Sequence, residues 1–171
     1  MLRSKDRIVL TRLTEIAPQL IIDLMNDPLV RRHLPLAQGS FGPADCTDFV
    51  ASKEKMWLEH GYGPWAIVID GNFAGWGGLQ PEGRDTDVGL VLHPKHWGEG
   101  QSLYKQFIQY AFEELGRESV ITLLPPTRRH VGGVLRLGFR RDGDVVLNGE
   151  RFVRYRLTSD DWKASGIQTG R

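Results

Sequence analysis

The stretch Asp87-Val-Gly-Leu-Val-Leu-His-Pro-Lys-His-Trp-Gly-Glu-Gly-Gln-Ser102 decides the reading of the whole chain. Asp87 to Leu92 is an apolar run and reads as a buried strand, which His93-Pro94 ends. Trp97-Gly-Glu-Gly-Gln-Ser102 then opens a helix through Leu115, with Leu103, Phe107, Ile108, Ala111, Phe112 and Leu115 on its apolar stripe. At the join, Gly98 and Gly100 let backbone N–H groups approach a phosphate at a helix N-terminus, where the helix dipole favours negative charge. The blander reading is a capped turn whose glycines only relieve a steric conflict.

Downstream, Ser119 to Leu124 is a short β-branched strand stopped by Pro125-Pro126, and a helix is expected from Arg128 to Leu137, ending at Gly138. Strand, helix, strand implies a parallel crossover. Phe139 to Leu147 and Glu150 to Leu157 flank Asn148-Gly149, a hairpin turn. Upstream, Arg7 to Leu13 reads as a strand, and Thr14 as the cap of a helix to about Met25 with the stripe Leu13, Ile16, Leu20, Leu24. Asn26-Asp27-Pro28 stops that helix, 35–43 is a loop, and a second helix runs from about Ala44 to Glu59. Pro64 to Asp70 and Phe73 to Leu79 form a second hairpin around Asp70-Gly71-Asn72. The sum is an α/β chain with a central mixed sheet, antiparallel at first and parallel in the middle, and helices on both faces.

The 171 residues fit one domain, 1–171, with 163–171 as a frayed polar tail. Lys plus Arg number 22 and Asp plus Glu 21, so no strong field draws in a phosphate polymer or an anionic membrane, and neither nucleic acid nor membrane is expected as a partner. No run of about 18 apolar residues occurs. Cys46 is the one cysteine, which rules out an internal disulfide and fits a reducing compartment, hence a soluble cytoplasmic protein.

In its motifs and their order the chain resembles the GNAT superfamily of N-acetyltransferases, and within it the ribosomal-protein N-acetyltransferase (RimJ/RimL-like) branch. The likeness rests on Val88 to Leu92 with His93-Pro94 and Trp97-Gly98-Glu99-Gly100, on Ala111-Phe112 with Leu115-Gly116, on Val134-Leu-Arg-Leu-Gly-Phe139, and on Tyr155-Arg-Leu-Thr158 with Asp161-Trp162. Asn26-Asp27-Pro28 and Gly61-Tyr-Gly-Pro-Trp65 extend it towards the N-terminus. The resemblance implies a sheet splayed between two parallel strands, acetyl-CoA as acyl donor, no metal, and a small-molecule amine or protein N-terminus as acceptor, on a monomer or homodimer.

It also implies a donor site made of the strand Leu90, Val91, Leu92 beside the pantetheine and of Trp97, Gly98, Glu99, Gly100, Gln101 and Ser102 at the phosphates, with Thr127 where the family places an Asn. Ser102 either donates to phosphate or caps the helix. An acceptor ammonium, with a pKa of about 10, must lose a proton before attack. Asp87 is the first candidate base, with Glu82 and Asp85 in reserve, against the alternative that each is a solvated acid. Leu135 stands where many relatives carry a Tyr that protonates the leaving thiolate. His130 is the candidate to replace that acid, against a solvent-facing imidazole beside Arg128 and Arg129. Those arginines are alternatively phosphate partners. Direct attack in a ternary complex is expected over an acyl-enzyme, because Cys46 falls in an expected surface helix with no indicated His partner. His93 and His96 bring no further ligand cluster and read as structural or solvated, and Trp57, Trp65 and Trp76 as core residues. The competing function is a non-catalytic module that keeps the fold and binds acyl-CoA, which Thr127 and Leu135 motivate.

Overall fold

The computed structural model describes residues 7–34, 39–128 and 131–167. Its strands form one seven-stranded sheet in the order β1-β2-β3-β4-β5-β7-β6: β1 Ile8–Thr11, β2 Pro64–Ile69, β3 Asn72–Glu82, β4 Asp85–Leu92, β5 Ser119–Leu124, β6 Arg140–Leu147 and β7 Glu150–Thr158. β4 and β5 are parallel, so the expected mixed sheet is present. The chain divides into two compact units, residues 1–80 with 90–98, and residues 81–89 with 99–171.

In the first unit β1 and β2 pair antiparallel, as do β2 and β3. Asp70 and Gly71 have φ of 51° and 81°, the doubly positive turn expected from Asp-Gly. Gly75 has φ of 156°, and a Cβ there would lie 2.1 Å from the Val91 carbonyl oxygen, so only glycine admits the end of β4 at that distance. Helix α1 is Pro18–Asn26, α2 Pro28–Arg31 and α3 Pro43–His60.

The sequence reading of the first helix needs correction. Leu13–Glu15 is a single 3₁₀ turn, and α1 starts only at Pro18, whose fixed φ and missing N–H suit the first helical position. Thr14 is therefore no helix cap. The shorter helix buries Ile21, Ile22, Leu24 and Met25 and leaves Leu20 47% exposed. Asp27 does end α1, and its carboxylate then accepts from the Leu29 and Val30 amides to start α2. Cys46, placed by sequence on a helix surface, is buried in the core with Leu13, Ile21 and Trp76, its thiol 3.7 Å from the Pro18 carbonyl. Trp76 is buried as expected, but Trp57 and Trp65 are half-buried and pack edge-on at 5.4 Å.

In the second unit α4, Gly100–Glu113, buries Leu103, Phe107, Ile108 and Ala111 completely. Each of the larger side chains contributes about 1.5–3 kcal/mol of burial, which fixes the helix. β5 pairs antiparallel with β7, and β7 with β6 through the Asn148-Gly149 turn, φ 51° and 81°. The helix after β5 is shorter than expected: α5 spans Gly132–Arg136, the two glycines giving little intrinsic support for an earlier start. Helix α6, Ser159–Ser165, carries regular structure into the segment read as a tail, capped by Thr158 and anchored by buried Trp162.

Candidate active site

Along β4, side chains take up two carbonyls that share one edge of the strand, since even-numbered residues point the same way. In the first unit the Trp97 indole N–H donates to the Leu92 carbonyl at 3.0 Å. In the second, Thr122 Oγ1 donates to the Val88 carbonyl at 2.9 Å. Leu90 lies between them on that edge, while His93 N–H turns the other way and donates to Ala74 at 2.8 Å. His93 Nδ1 accepts from the Lys95 amide at 3.3 Å, which makes this imidazole part of the turn.

After β4 the chain makes a 3₁₀ segment, Pro94–Glu99, and enters α4 at Gly100. The sequence showed only a turn here, because six residues are too few for a periodic pattern. Glu99 occupies the cap position without a side-chain cap bond, so Ser102, exposed in the first turn, is not the cap residue. The 14-residue helix thus begins without a cap bond from its own N-cap side chain. A Cβ built on Gly98 meets nothing within 4 Å, and its φ is not positive. Among the described residues the fold does not require glycine there, so the steric explanation fails for Gly98. Trp97 is 47% exposed, with His33 edge-on at 5.9 Å. Gln101 Nε2 donates to the Gly133 carbonyl at 3.2 Å, tying the start of α4 to α5.

Asp87 is half-buried on β4 opposite Ile121. Asp85 is differently placed: Arg156 binds it with both terminal nitrogens, so its carboxylate is already engaged. Thr127 lies exposed in the turn after β5, five residues before α5 begins, and not in a helical first turn. His130 lies outside the described residues. Leu135 is 49% exposed on α5. Burial pushes the Cys46 thiol up, away from the thiolate a nucleophile needs.

Sequence reasoning passed over Tyr104. Its hydroxyl is 3.2 Å from Thr122 Oγ1, and burial pushes the phenol up, the Thr122 bond opposing. The available signal was its spacing of three, four and seven residues from Phe107, Ile108 and Ala111, which puts it over the buried stripe.

The chain belongs to the GNAT acetyltransferase family: it matches the model described as "Acetyltransferase (GNAT) domain" over residues 7–140. Acetyltransferases of this family use acetyl-CoA. Among curated proteins it is similar to the FsC-acetyl coenzyme A-N(2)-transacetylase of Aspergillus fumigatus, 34% identical over 123 residues, which is 60% of this chain and 52% of that protein. The aligned stretch thus spans about half that relative's length. Among solved structures, an acetyltransferase from Agrobacterium tumefaciens str. C58 superposes with a TM-score of 0.74 at 19% identity, covering 92% of this chain and 94% of the other. A spermidine N-acetyltransferase SpeG chimera from Vibrio cholerae and hSSAT gives 0.71 at 14% identity, covering 92% and 98%. Both likenesses establish the shared fold.

Proposed function

We propose that this chain, as one acetyltransferase domain over 1–171, transfers the acyl group of acetyl-CoA to a primary amine by direct attack in a ternary complex. The observation that carries the reading is the start of α4, where the Glu99 side chain makes no cap bond and a Cβ on Gly98 would meet no described residue within 4 Å. A diphosphate needs several donors and close backbone approach, and the first turn of a helix behind a glycine is a segment suited to supply them. Gly100, Glu99, Gln101 and Ser102 supply the turn, Gln101 holding it against α5. The Leu90 backbone, between the engaged Val88 and Leu92 carbonyls, is the group of β4 that takes the peptide-like pantetheine as an added strand, with Val91 packing alongside.

When bound, acetyl-CoA supplies an activated acyl carbon. The chain's own part is to orient it, to donate a main-chain N–H towards the developing oxyanion, and to receive the proton that the attacking amine sheds. Asp87, a half-buried acid entering β4, is the proposed base. A covalent acyl-enzyme through Cys46 is disfavoured by burial of the thiol. His130 and Thr127 keep the roles proposed from sequence, as acid and as a pantetheine partner. The donor and atom in the Aspergillus relative's name, acetyl coenzyme A and N(2), support transfer to nitrogen. The ribosomal-protein branch makes a protein N-terminus one acceptor to test and the spermidine neighbours make a polyamine another. No described helix is long and apolar enough to cross a membrane, and the cytoplasm is the proposed location.

The second reading, an acyl-CoA-binding module without transfer, is favoured by exposed Leu135 at the place of the usual acid. Calorimetry with acetyl-CoA, followed by thiol release over a panel of polyamines, amino acids and N-terminal peptides, separates the two. Binding with release supports the enzyme, binding without release on any acceptor the module, and no binding refutes both.

A further inference from the structure

Thr122 is a buried polar residue, 1% exposed, and its hydroxyl oxygen has two partners within the second unit: the Val88 carbonyl at 2.9 Å and the Tyr104 hydroxyl at 3.2 Å. A threonine hydroxyl carries one proton and a carbonyl can only accept. The Thr122 proton therefore goes to Val88, and Tyr104 must be the donor to Thr122. The result is a directed chain from Tyr104 O–H to Thr122 O–H to the Val88 carbonyl.

In a parallel pair a carbonyl facing the neighbouring strand is ordinarily met by that strand's main-chain N–H. Here the β4–β5 register is recorded at Asp87 opposite Ile121, and one residue later a side chain serves the carbonyl instead. Ending a ladder usually leaves a buried carbonyl unpaired, and the Thr122 hydroxyl gives this one a donor. Burial keeps the Tyr104 phenol protonated, as a donor must be.

We propose that Tyr104 and Thr122 are positioning residues for the acyl donor: their hydroxyl chain ends the parallel ladder at Val88, so that the β4 backbone at Leu90 is presented to the pantetheine amides. This inference rests on the donor reading above. Nothing in it requires either hydroxyl to touch the reacting atoms, and the role is to fix where strand pairing stops.

The test is acetyl-CoA calorimetry on the full chain as wild type, Thr122→Val, Thr122→Ser and Tyr104→Phe, each at a temperature where its melt shows it folded. Valine keeps the shape and loses the donor, so acetyl-CoA should bind about tenfold more weakly. Serine restores the hydroxyl and should bind within about threefold of wild type, while phenylalanine, which leaves Thr122 in place, should cost about threefold. A clip that only stabilises the fold would lower the melting temperature of Thr122→Val and leave its dissociation constant unmoved, and that pattern overturns the inference while the donor reading stands. Lack of acetyl-CoA uptake by the wild type defeats the donor reading itself. Should Thr122→Val fail to fold, Tyr104→Phe decides, and wild-type affinity in that variant overturns the proposal.

Discussion

Arg156 grips both carboxylate oxygens of Asp85, Nη1 at 2.8 Å and Nη2 at 3.3 Å, joining β7 to β4 across β5. The same guanidinium donates through Nε to Asp142 at 2.8 Å and through Nη1 to Ser119 at 2.9 Å, while Arg154 also reaches Asp142. Fork geometry of this kind is beyond a lysine, whose ammonium is a single point charge.

Arg156→Lys should therefore lower stability by about 1.5–3 kcal/mol, the range for hydrogen bonds to charged groups, even though the formal charge is kept. Chemical denaturation reads this directly, and a change within about 0.5 kcal/mol would mean that the fork adds little.

The network also sets a pH dependence. Arg156 foremost, helped by Arg154, holds the Asp142 carboxyl below its ordinary value. A depressed folded-state pKa contributes stability above the unfolded value and loses it as pH falls through the folded one. The deficit of Asp142→Asn relative to wild type should be present at neutral pH and shrink as pH falls below the ordinary Asp value of about 3.9. Because Asp142 is 40% exposed, solvent screening keeps the effect small, so paired melts at pH 7 and at acid pH are the suitable measurement.

Gly98→Ala separates fold from ligand. With open space around a Cβ and no positive φ, alanine should leave stability within about 0.5 kcal/mol or raise it slightly by restricting the unfolded chain. Acetyl-CoA binding should weaken about tenfold, as a methyl group enters the room proposed for phosphate. Unchanged affinity would remove this glycine from the donor site.

Asp87→Asn tests the base. If Asp87 takes the amine's proton, turnover at pH 7 should fall about 100-fold, in the range for general-base catalysis, with acetyl-CoA affinity held within about twofold. Asp85→Asn serves as the comparison: it should cost stability through Arg156 and spare most of the turnover per folded molecule. Equal loss of turnover in both variants would argue against a specific role for Asp87.

For Cys46, buried beneath α1, native protein should resist thiol alkylation, and Cys46→Ala should retain transfer within about twofold while losing about 1 kcal/mol of stability to the small cavity. Abolished transfer in a folded Cys46→Ala protein would instead revive the acyl-enzyme.

Much of this architecture could be read from residues alone, and the reason differs from element to element. Asp70-Gly71 and Asn148-Gly149 were legible because a doubly positive turn is a local demand that few residue pairs meet. The α4 stripe was legible because five buried positions repeat over four turns. The first helix was misplaced because Thr14 carries a cap's chemistry while Pro18 decides where the helix can begin. The burial of Cys46 depends on α1 closing over α3, a tertiary fact with no local signature. Gly98 and Gly100 stood out as a motif, yet that the fold leaves open room at Gly98 is a tertiary fact no motif shows. Tyr104 and Thr122 escaped notice because a hydroxyl chain between a helix and a strand leaves no spacing rule in either.

The indole of Trp97 has a use beyond holding Leu92. Among the five tryptophans, Trp76 and Trp162 are buried and Trp57 and Trp65 half-buried, whereas Trp97 is exposed immediately before Gly98. Selective quenching by iodide should therefore fall chiefly on this one fluorophore, and a nucleotide thioester settling beside it should shield it. With the donor bound at the proposed site, the protein would carry its own optical titration signal, positioned by the bond that closes the strand, with no attached dye.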